Sequence, residues 1–237
     1  MAYGFVLLLL VLLYVLYECV RVWRLIGRVP SAERYERSFG SQSMLVLGDS
    51  TAVGVGALTP GGSVAGYLAA ALDASVENYA KSGAVAADIH AQFARAQRGQ
   101  YDLVLVQIGA NDVIRFRSHQ GAQENLDRLL QAVAHTSDHV VLITAGKIGD
   151  APFFPRLLAP ILTMRAQALR KRFIETATLH GAVYVDLYHA ADPFSSDPAR
   201  YYAPDGLHLT SDGYRFWFDE TRQAIQKRWP HLLKHAE

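Results

Sequence analysis

Short apolar runs alternate with amphipathic patterns along most of the chain. Runs of Val, Ile and Leu a few residues long are typical of strands buried on both faces of a parallel sheet. The runs with this character are residues 44–47, 75–79, 103–108, 140–144 and 183–187. The pattern therefore predicts a sheet of five parallel strands.

Apolar residues between these runs recur at spacings of three and four, which is the period of a helix with one face on a core. The residues with this spacing are Val64, Leu68 and Leu72; Val85, Ile89 and Phe93; Leu126, Leu130 and Val133; Leu162, Ala166, Leu169, Phe173 and Ala177; and Tyr214, Trp217, Phe218, Thr221 and Ile225. Alternating strands and helices with right-handed crossovers predict a three-layer α/β/α domain over residues 43–237. Ligands of such folds bind beyond the carboxyl ends of the strands.

The first segment differs from the rest, because residues 1–17 contain no charged side chain and hold a block of leucines. A membrane-spanning helix needs roughly 17 to 25 residues. We therefore predict a transmembrane anchor over residues 1–22 and a juxtamembrane tether over 23–42. A cleavable signal peptide is the alternative, but basic residues before the apolar run and small residues at a cleavage site are missing.

Arginines follow the apolar run at Arg21, Arg24 and Arg28, whereas only the terminal amine precedes it. By the positive-inside tendency, this bias favours a cytoplasmic position for the domain. The protein is therefore expected to be a single-pass protein of the bacterial inner membrane.

The overall charge of the chain adds little to this picture, because its 23 basic and 22 acidic residues nearly cancel. A nearly neutral chain disfavours nucleic acid as a partner. The single cysteine, Cys19, excludes an internal disulfide.

A serine follows the first predicted strand in the sequence Gly48-Asp49-Ser50-Thr51. The carboxyl end of a strand is an exposed position suited to a nucleophile, and the preceding glycine permits a tight turn. Taken alone, the same sequence is equally typical of a turn with a helix cap. Asp49, and Asp112 after the third strand, are interpreted as local hydrogen-bond acceptors or caps.

A serine hydroxyl needs a base, and Asp205 and His208 stand three residues apart in a predicted loop near the C-terminus. A carboxylate at that spacing can hold one imidazole nitrogen while the other faces the serine. The other eight histidines are interpreted as structural or solvent-exposed. Two further groups follow predicted strands: Gly83, whose backbone N–H can bind an oxyanion, and Asn111, whose amide can do the same.

The order of these four blocks resembles the SGNH hydrolase superfamily, the GDSL-like esterases and lipases. By resemblance, Ser50 matches the nucleophile, Gly83 and Asn111 match two oxyanion-hole residues beside the Ser50 amide, and Asp205 with His208 match the final pair. The resemblance covers about residues 44–217, and it implies a flavodoxin-like fold with neither metal nor cofactor. Thr51 departs from it, because many members carry leucine there.

The expected activity is hydrolysis of acyl esters through an acyl-serine, with the anchor favouring lipid-like substrates. Phe153, Phe154, Leu157 and Leu158 are candidates for an acyl pocket, with core packing as the alternative. Two other functions stay open. One is acyl transfer to a sugar or alcohol on the same site, and the other is a non-catalytic binding module tethered to a membrane.

Overall fold

A computed structural model describes residues 2–30, 32–188 and 193–233. Its centre is a sheet of five parallel strands in the order β2-β1-β3-β4-β5. The strands are β1 (Gln42–Gly48), β2 (Ala74–Asn78), β3 (Leu103–Gln107), β4 (Val140–Ile143) and β5 (Val183–Val185). All five match the predicted runs to within a few residues at each end, so the predicted α/β fold with five parallel strands is confirmed.

The helices are α1 (Ala2–Ile26), α2 (Ser50–Val53), α3 (Val64–Leu72), α4 (Ile89–Phe93), α5 (Ala110–Ile114), α6 (His119–Val133), α7 (Ala159–Leu179), α8 (Pro198–Tyr201) and α9 (Ser211–Arg228). The predicted apolar faces of α3, α6, α7 and α9 are buried. The pattern from Val85 to Phe93 forms a short 3₁₀ turn and the short helix α4 rather than one helix.

The core has two parts, one on each face of the sheet. Alternate residues along β3 point to opposite sides: Leu103 and Leu105 pack toward α3 and α9, whereas Val104 and Val106 pack toward α6 and α7. A strand with both faces covered must be apolar at every position, which is why these runs lack the polar alternation of a half-exposed sheet. The two cores hold the carboxyl ends of β1 and β3 in fixed register.

The first segment forms a helix, α1, that extends four residues beyond the predicted end at residue 22, so it contains Arg24 in addition to Glu18 and Arg21. In the described part of the chain, no helix is both long and apolar enough to cross a membrane. The predicted transmembrane helix is therefore not found as a membrane-spanning element. The single-pass location and the side on which the domain lies stay predictions from the sequence.

The segment predicted as a tether contacts the domain. Arg37 forms an isolated antiparallel bridge with Val76 on the free edge of β2, and its side chain forms a salt bridge with Asp73 at 2.7 Å. Arg34 Nη1 donates to the carbonyl of Ala80 at 3.5 Å. A segment that pairs with an edge strand also hides the strand's free N–H and C=O groups.

Candidate active site

Ser50 lies at the start of α2, directly beyond β1. Asp49 is the N-cap of α2, and its Oδ1 accepts from Thr51 N at 2.9 Å and from Thr51 Oγ1 at 2.8 Å. The predicted capping role of Asp49 is therefore confirmed, and the structure adds a bond from the Thr51 hydroxyl that a leucine could not form. Gly48 precedes the turn at φ +144°, where a Cβ would lie 2.0 Å from the carbonyl of Gln107.

Two buried amide side chains fix this turn. Gln92 binds both backbone groups of Gly48, since its Oε1 accepts from Gly48 N at 2.7 Å and its Nε2 donates to Gly48 O at 2.9 Å. Asn78 Nδ2 donates to the carbonyl of Ala52 at 3.1 Å inside α2. These contacts hold the backbone on both sides of Ser50, and nothing in the sequence pattern indicated them.

Asp205 and His208 form a hydrogen-bonded pair in a tight loop before α9. His208 Nδ1 lies 2.5 Å from Asp205 Oδ2, while Asp205 Oδ1 accepts from the backbone N–H groups of Leu207 and His208 at 2.9 and 3.0 Å. Asp205 is fully buried. Burial raises its pKa, but the bonds from His208 and the two amides outweigh burial, so the pKa of Asp205 lies below its usual range.

Three groups of the site can donate hydrogen bonds to an oxyanion: the backbone N–H of Ser50, the backbone N–H of Gly83 and the side-chain amide of Asn111. As the first residue of α2, Ser50 has a backbone N–H without an intrahelical acceptor. Gly83 has φ +80°, a conformation that suits glycine. Asn111, in α5, uses one amide hydrogen to donate from Nδ2 to the carbonyl of Ala84 at 3.0 Å, which fixes the side chain and leaves the second hydrogen for a ligand.

A cavity of about 230 Å³ joins these groups. Ser50, Gly83, Asn111 and His208 all line it, with Asp205 buried behind His208. Within the described residues the Ser50 hydroxyl makes no hydrogen bond. The hydrogen bond between a nucleophile and its base is often long in the free enzyme and tightens only when substrate binds. The remaining walls are largely apolar and include Ile114, Ile148, Leu187, Phe194, Leu207, Leu209 and Trp217, with Lys147 and Asp150 among the polar lining residues.

The predicted acyl-pocket residues do not line this cavity. Phe154 packs against the core between the sheet, α6 and α7, whereas Leu157 and Leu158 are exposed. The physical reason is the path of the chain after β4, because the turn at 148–150 occupies the cavity wall before the chain reaches Phe153. The apolar wall instead combines residues from the loops after several strands.

Two buried carboxyl groups flank the site without belonging to the Asp205–His208 pair. Burial raises the pKa of Asp49 to about 6, although hydrogen bonds from Thr51 and the nearby His208 oppose the shift. Burial likewise raises the pKa of Asp112 to about 6, and its Oδ2 accepts from Ala86 N at 3.0 Å. In the folded protein both groups bind a proton more tightly than an ordinary aspartate does.

The raised pKa of Asp49 predicts a pH-dependent stability. The free energy of unfolding should fall as pH rises from about 4 to about 6, because the folded state retains a proton that the unfolded chain has lost. Asp49→Asn keeps the acceptor for Thr51 and removes the buried charge. We expect it to raise the free energy of unfolding at pH 8 by up to about 3 kcal/mol and to change it little at pH 4.

Urea unfolding at both pH values measures this difference. The control is Asp138→Asn, a substitution at an exposed position on the connection before β4. If Asp49→Asn is no more stable than the parent at pH 8, then hydration or hydrogen bonding offsets the free-energy cost of burying the Asp49 carboxylate.

The sequence of residues 46–216 matches the family described as GDSL-like Lipase/Acylhydrolase. Among curated proteins, none matches the chain. Solved structures with the same fold include an alpha/beta hydrolase enzyme from the metagenome of Lake Arreo, at TM-score 0.63 and 21% identity over 78% of this chain and 95% of that one.

Two further structures are similar at lower identity. Phospholipase A1 from Streptomyces albidoflavus has a TM-score of 0.60 and 19% identity, covering 77% of this chain and 99% of its own. The acetylxylan esterase Axe2 from Geobacillus stearothermophilus has a TM-score of 0.56 and 16% identity, covering 80% of this chain and 96% of its own. At these identities the likeness establishes the fold.

Proposed function

Because the chain belongs to the GDSL-like lipase/acylhydrolase family, we propose that it is a serine hydrolase that cleaves carboxylic esters through an acyl-serine intermediate. The observation that carries this proposal is that Ser50, Gly83, Asn111 and His208 all line the same cavity, with Asp205 hydrogen-bonded behind the histidine. A nucleophile, a base, an orienting carboxylate and oxyanion donors are the groups that acyl transfer requires.

In the first half of the reaction, Ser50 Oγ attacks the ester carbonyl carbon as its proton passes to His208 Nε2. The carbonyl oxygen becomes an oxyanion held by the N–H groups of Ser50 and Gly83 and the amide of Asn111. The tetrahedral species then expels the alcohol, which receives the proton from His208. Asp205 keeps the histidine proton on Nδ1, so that Nε2 is free to accept.

In the second half, water takes the place of the alcohol. His208 Nε2 accepts a proton from the water as its oxygen attacks the acyl carbon, and the same three donors hold the second oxyanion. Collapse breaks the bond to Ser50 Oγ, which regains the proton from His208. The products are a carboxylic acid and the free enzyme.

A panel of p-nitrophenyl esters from acetyl to palmitoyl tests the activity and the acyl preference together. We expect hydrolysis of the panel and, on rapid acid quenching, a mass increase of one acyl group on the peptide that contains Ser50. The apolar walls favour chains longer than acetyl. A parent protein that hydrolyses no ester, or that acylates elsewhere, would overturn the proposal.

Asn111 provides a sharper test of the oxyanion donors. We expect Asn111→Ala to lower kcat by about 10²- to 10³-fold with a small change in KM, because the bond to the oxyanion strengthens in the transition state. Asn125→Ala, on the surface helix α6, is the matched control and should keep the parental rate. A loss confined to KM would indicate that Asn111 binds the ground state instead.

Attachment to a lipid surface through α1 is part of the proposal. Its support is the apolar sequence of α1 and the arginines Arg21, Arg24 and Arg28 near its C-terminal end, a combination that suits anionic membrane surfaces. The similar fold of a phospholipase A1 supports lipid esters as candidate substrates. Fractionation of cells that express the full chain checks this attachment, and recovery wholly outside the membrane fraction would contradict it.

A further inference from the structure

An exposed apolar surface lies beside the cavity, around the N-terminal end of α7. We call it the α7 patch, and its members with their exposed fractions are Phe116 (56%), Leu157 (71%), Leu158 (39%), Ile161 (41%) and Met164 (63%). Large apolar side chains exposed singly are normal, but a contiguous group marks an interaction surface. The question is what this surface contacts.

Helical spacing explains how the patch forms. Ile161 and Met164 lie three residues apart on one side of α7, and Leu157 lies in the turn that leads into the helix, while Leu162 and Ala166 on the other side of α7 are buried. Arg165 joins Phe116 to this face, since its guanidinium stacks 4.8 Å from the Phe116 ring and donates from Nη2 to the carbonyl of Arg117 at 2.7 Å.

The patch is continuous with the rim of the cavity through α5. Asn111 and Ile114 line the cavity, and Phe116 follows two residues after Ile114. Between them Arg115 extends over the oxyanion side, because a Cβ built on Gly83 would lie 2.9 Å from Arg115 Nη2. A surface that contacts the patch therefore also lies next to the cavity.

Basic residues surround the apolar side chains. Arg115 and Arg117 flank Phe116, and Arg156 precedes Leu157; all three are exposed, and none forms a salt bridge with any residue of the described chain. An apolar centre with an arginine border complements an anionic lipid surface, where each basic residue adds attraction.

The apolar helix α1 contacts the loop that leads into the α7 patch. Arg21 Nη1 donates to the carbonyl of Pro152 at 2.7 Å, and Arg21 Nη2 donates to the carbonyl of Phe153 at 2.9 Å, a few residues before Leu157. The exposed side chains of α1 include Leu9, Leu10, Leu12, Leu13 and Leu16. Two apolar surfaces are thus joined at the loop that leads into the patch.

We propose that the α7 patch docks on an anionic lipid surface and presents the cavity to esters held in that surface. The arginine border, the junction with α1 and the continuity with α5 together select this occupant over a soluble partner. The inference rests on the proposed ester hydrolysis, and it adds that the substrate reaches Ser50 from the lipid side.

The test compares one ester in two settings, using the full chain. A fluorogenic diacyl glycerophospholipid is placed in vesicles of phosphatidylglycerol and phosphatidylcholine, and p-nitrophenyl butyrate supplies the soluble reference. We expect the double variant Leu157→Ser/Met164→Ser to hydrolyse the phospholipid in vesicles at least about tenfold more slowly than the parent, because these two apolar side chains no longer enter the lipid. Its soluble rate should match the parent's.

Two further variants test general surface changes and the arginine border. Leu179→Ser removes an equally exposed leucine at the far end of α7 and should alter neither rate. Arg117→Gln/Arg156→Gln should lower the rate on anionic vesicles several-fold and leave the rate on pure phosphatidylcholine vesicles unchanged.

The outcomes separate the two proposals. A parent inactive on both esters overturns the proposed function itself. A parent active on the soluble ester, with equal vesicle rates in the parent and the double variant, overturns only the docking inference. A double variant that changes from dimer to monomer in gel filtration while keeping its vesicle rate would instead assign the patch to a second copy of the chain.

Discussion

Replacement of Ser50 by alanine is expected to lower kcat for p-nitrophenyl ester hydrolysis by at least about 10⁴-fold, because the variant lacks the hydroxyl that forms the acyl-enzyme. The residual rate should remain above that of water, since the oxyanion donors stay in place. Ser50→Ala should also lose labelling by a fluorophosphonate probe. Steady-state kinetics and probe labelling on the same preparations measure both effects.

Ser38→Ala is the matched control, because Ser38 is exposed and lies on the segment before β1, outside the cavity. We expect parental kinetics and labelling from it. Thermal unfolding should show Ser50→Ala to be folded, since the Ser50 hydroxyl has no hydrogen-bond partner to lose in the described chain. An alanine variant with more than a tenth of the parental rate would exclude Ser50 as the nucleophile.

Much of the fold could be predicted because its signals are local. A strand covered on both faces must be apolar throughout, as in β3, and a helix on a sheet must repeat apolar residues at its own period, as in α3 and α7. Parallel strands also share one carboxyl edge, so residues that directly follow β1 and β3 must be neighbours. That geometry is why Ser50 and Asn111 could be assigned to one site.

Other features depend on pairs of residues that are distant in sequence. The clamp of Gln92 on Gly48 joins residues 44 positions apart, and the hydroxyl of Tyr214 donates to the carbonyl of Val55 across 159 positions. The sequence predicted Tyr214 only as a residue on the apolar face of a helix, and it did not indicate a hydrogen-bond partner for the Tyr214 hydroxyl. Such contacts follow from tertiary packing, which periodicity does not encode.

The loop after β4 shows how apolar composition can mislead. Phe153, Phe154, Leu157 and Leu158 suggest a pocket wall by chemistry alone, yet two of them are exposed. Composition indicates that a side chain avoids water, and it does not indicate which apolar environment accepts it. The docking proposal assigns Leu157 and Leu158 to a lipid surface, an environment that lies outside the chain.

Asp205→Asn is expected to lower kcat/KM by about 10³- to 10⁴-fold while keeping the loop folded. The asparagine Oδ1 can still accept from Leu207 N and His208 N, so the backbone bonds persist. Its amide, however, would place a donor against His208 Nδ1, and the proton would move to Nε2. An imidazole with its proton on Nε2 cannot accept from Ser50, and the base is lost without loss of geometry.

The double variant Asp205→Asn/His208→Ala distinguishes this role from a structural one. If Asp205 acts through the histidine, the double variant should be no slower than His208→Ala alone, because the two residues function as a unit. Asp212→Asn, at an exposed carboxylate in the first turn of α9, controls for charge and should keep the parental rate. Losses that multiply in the double variant would show that Asp205 supports catalysis independently of His208, and the orienting role assigned to its buried carboxylate would be wrong.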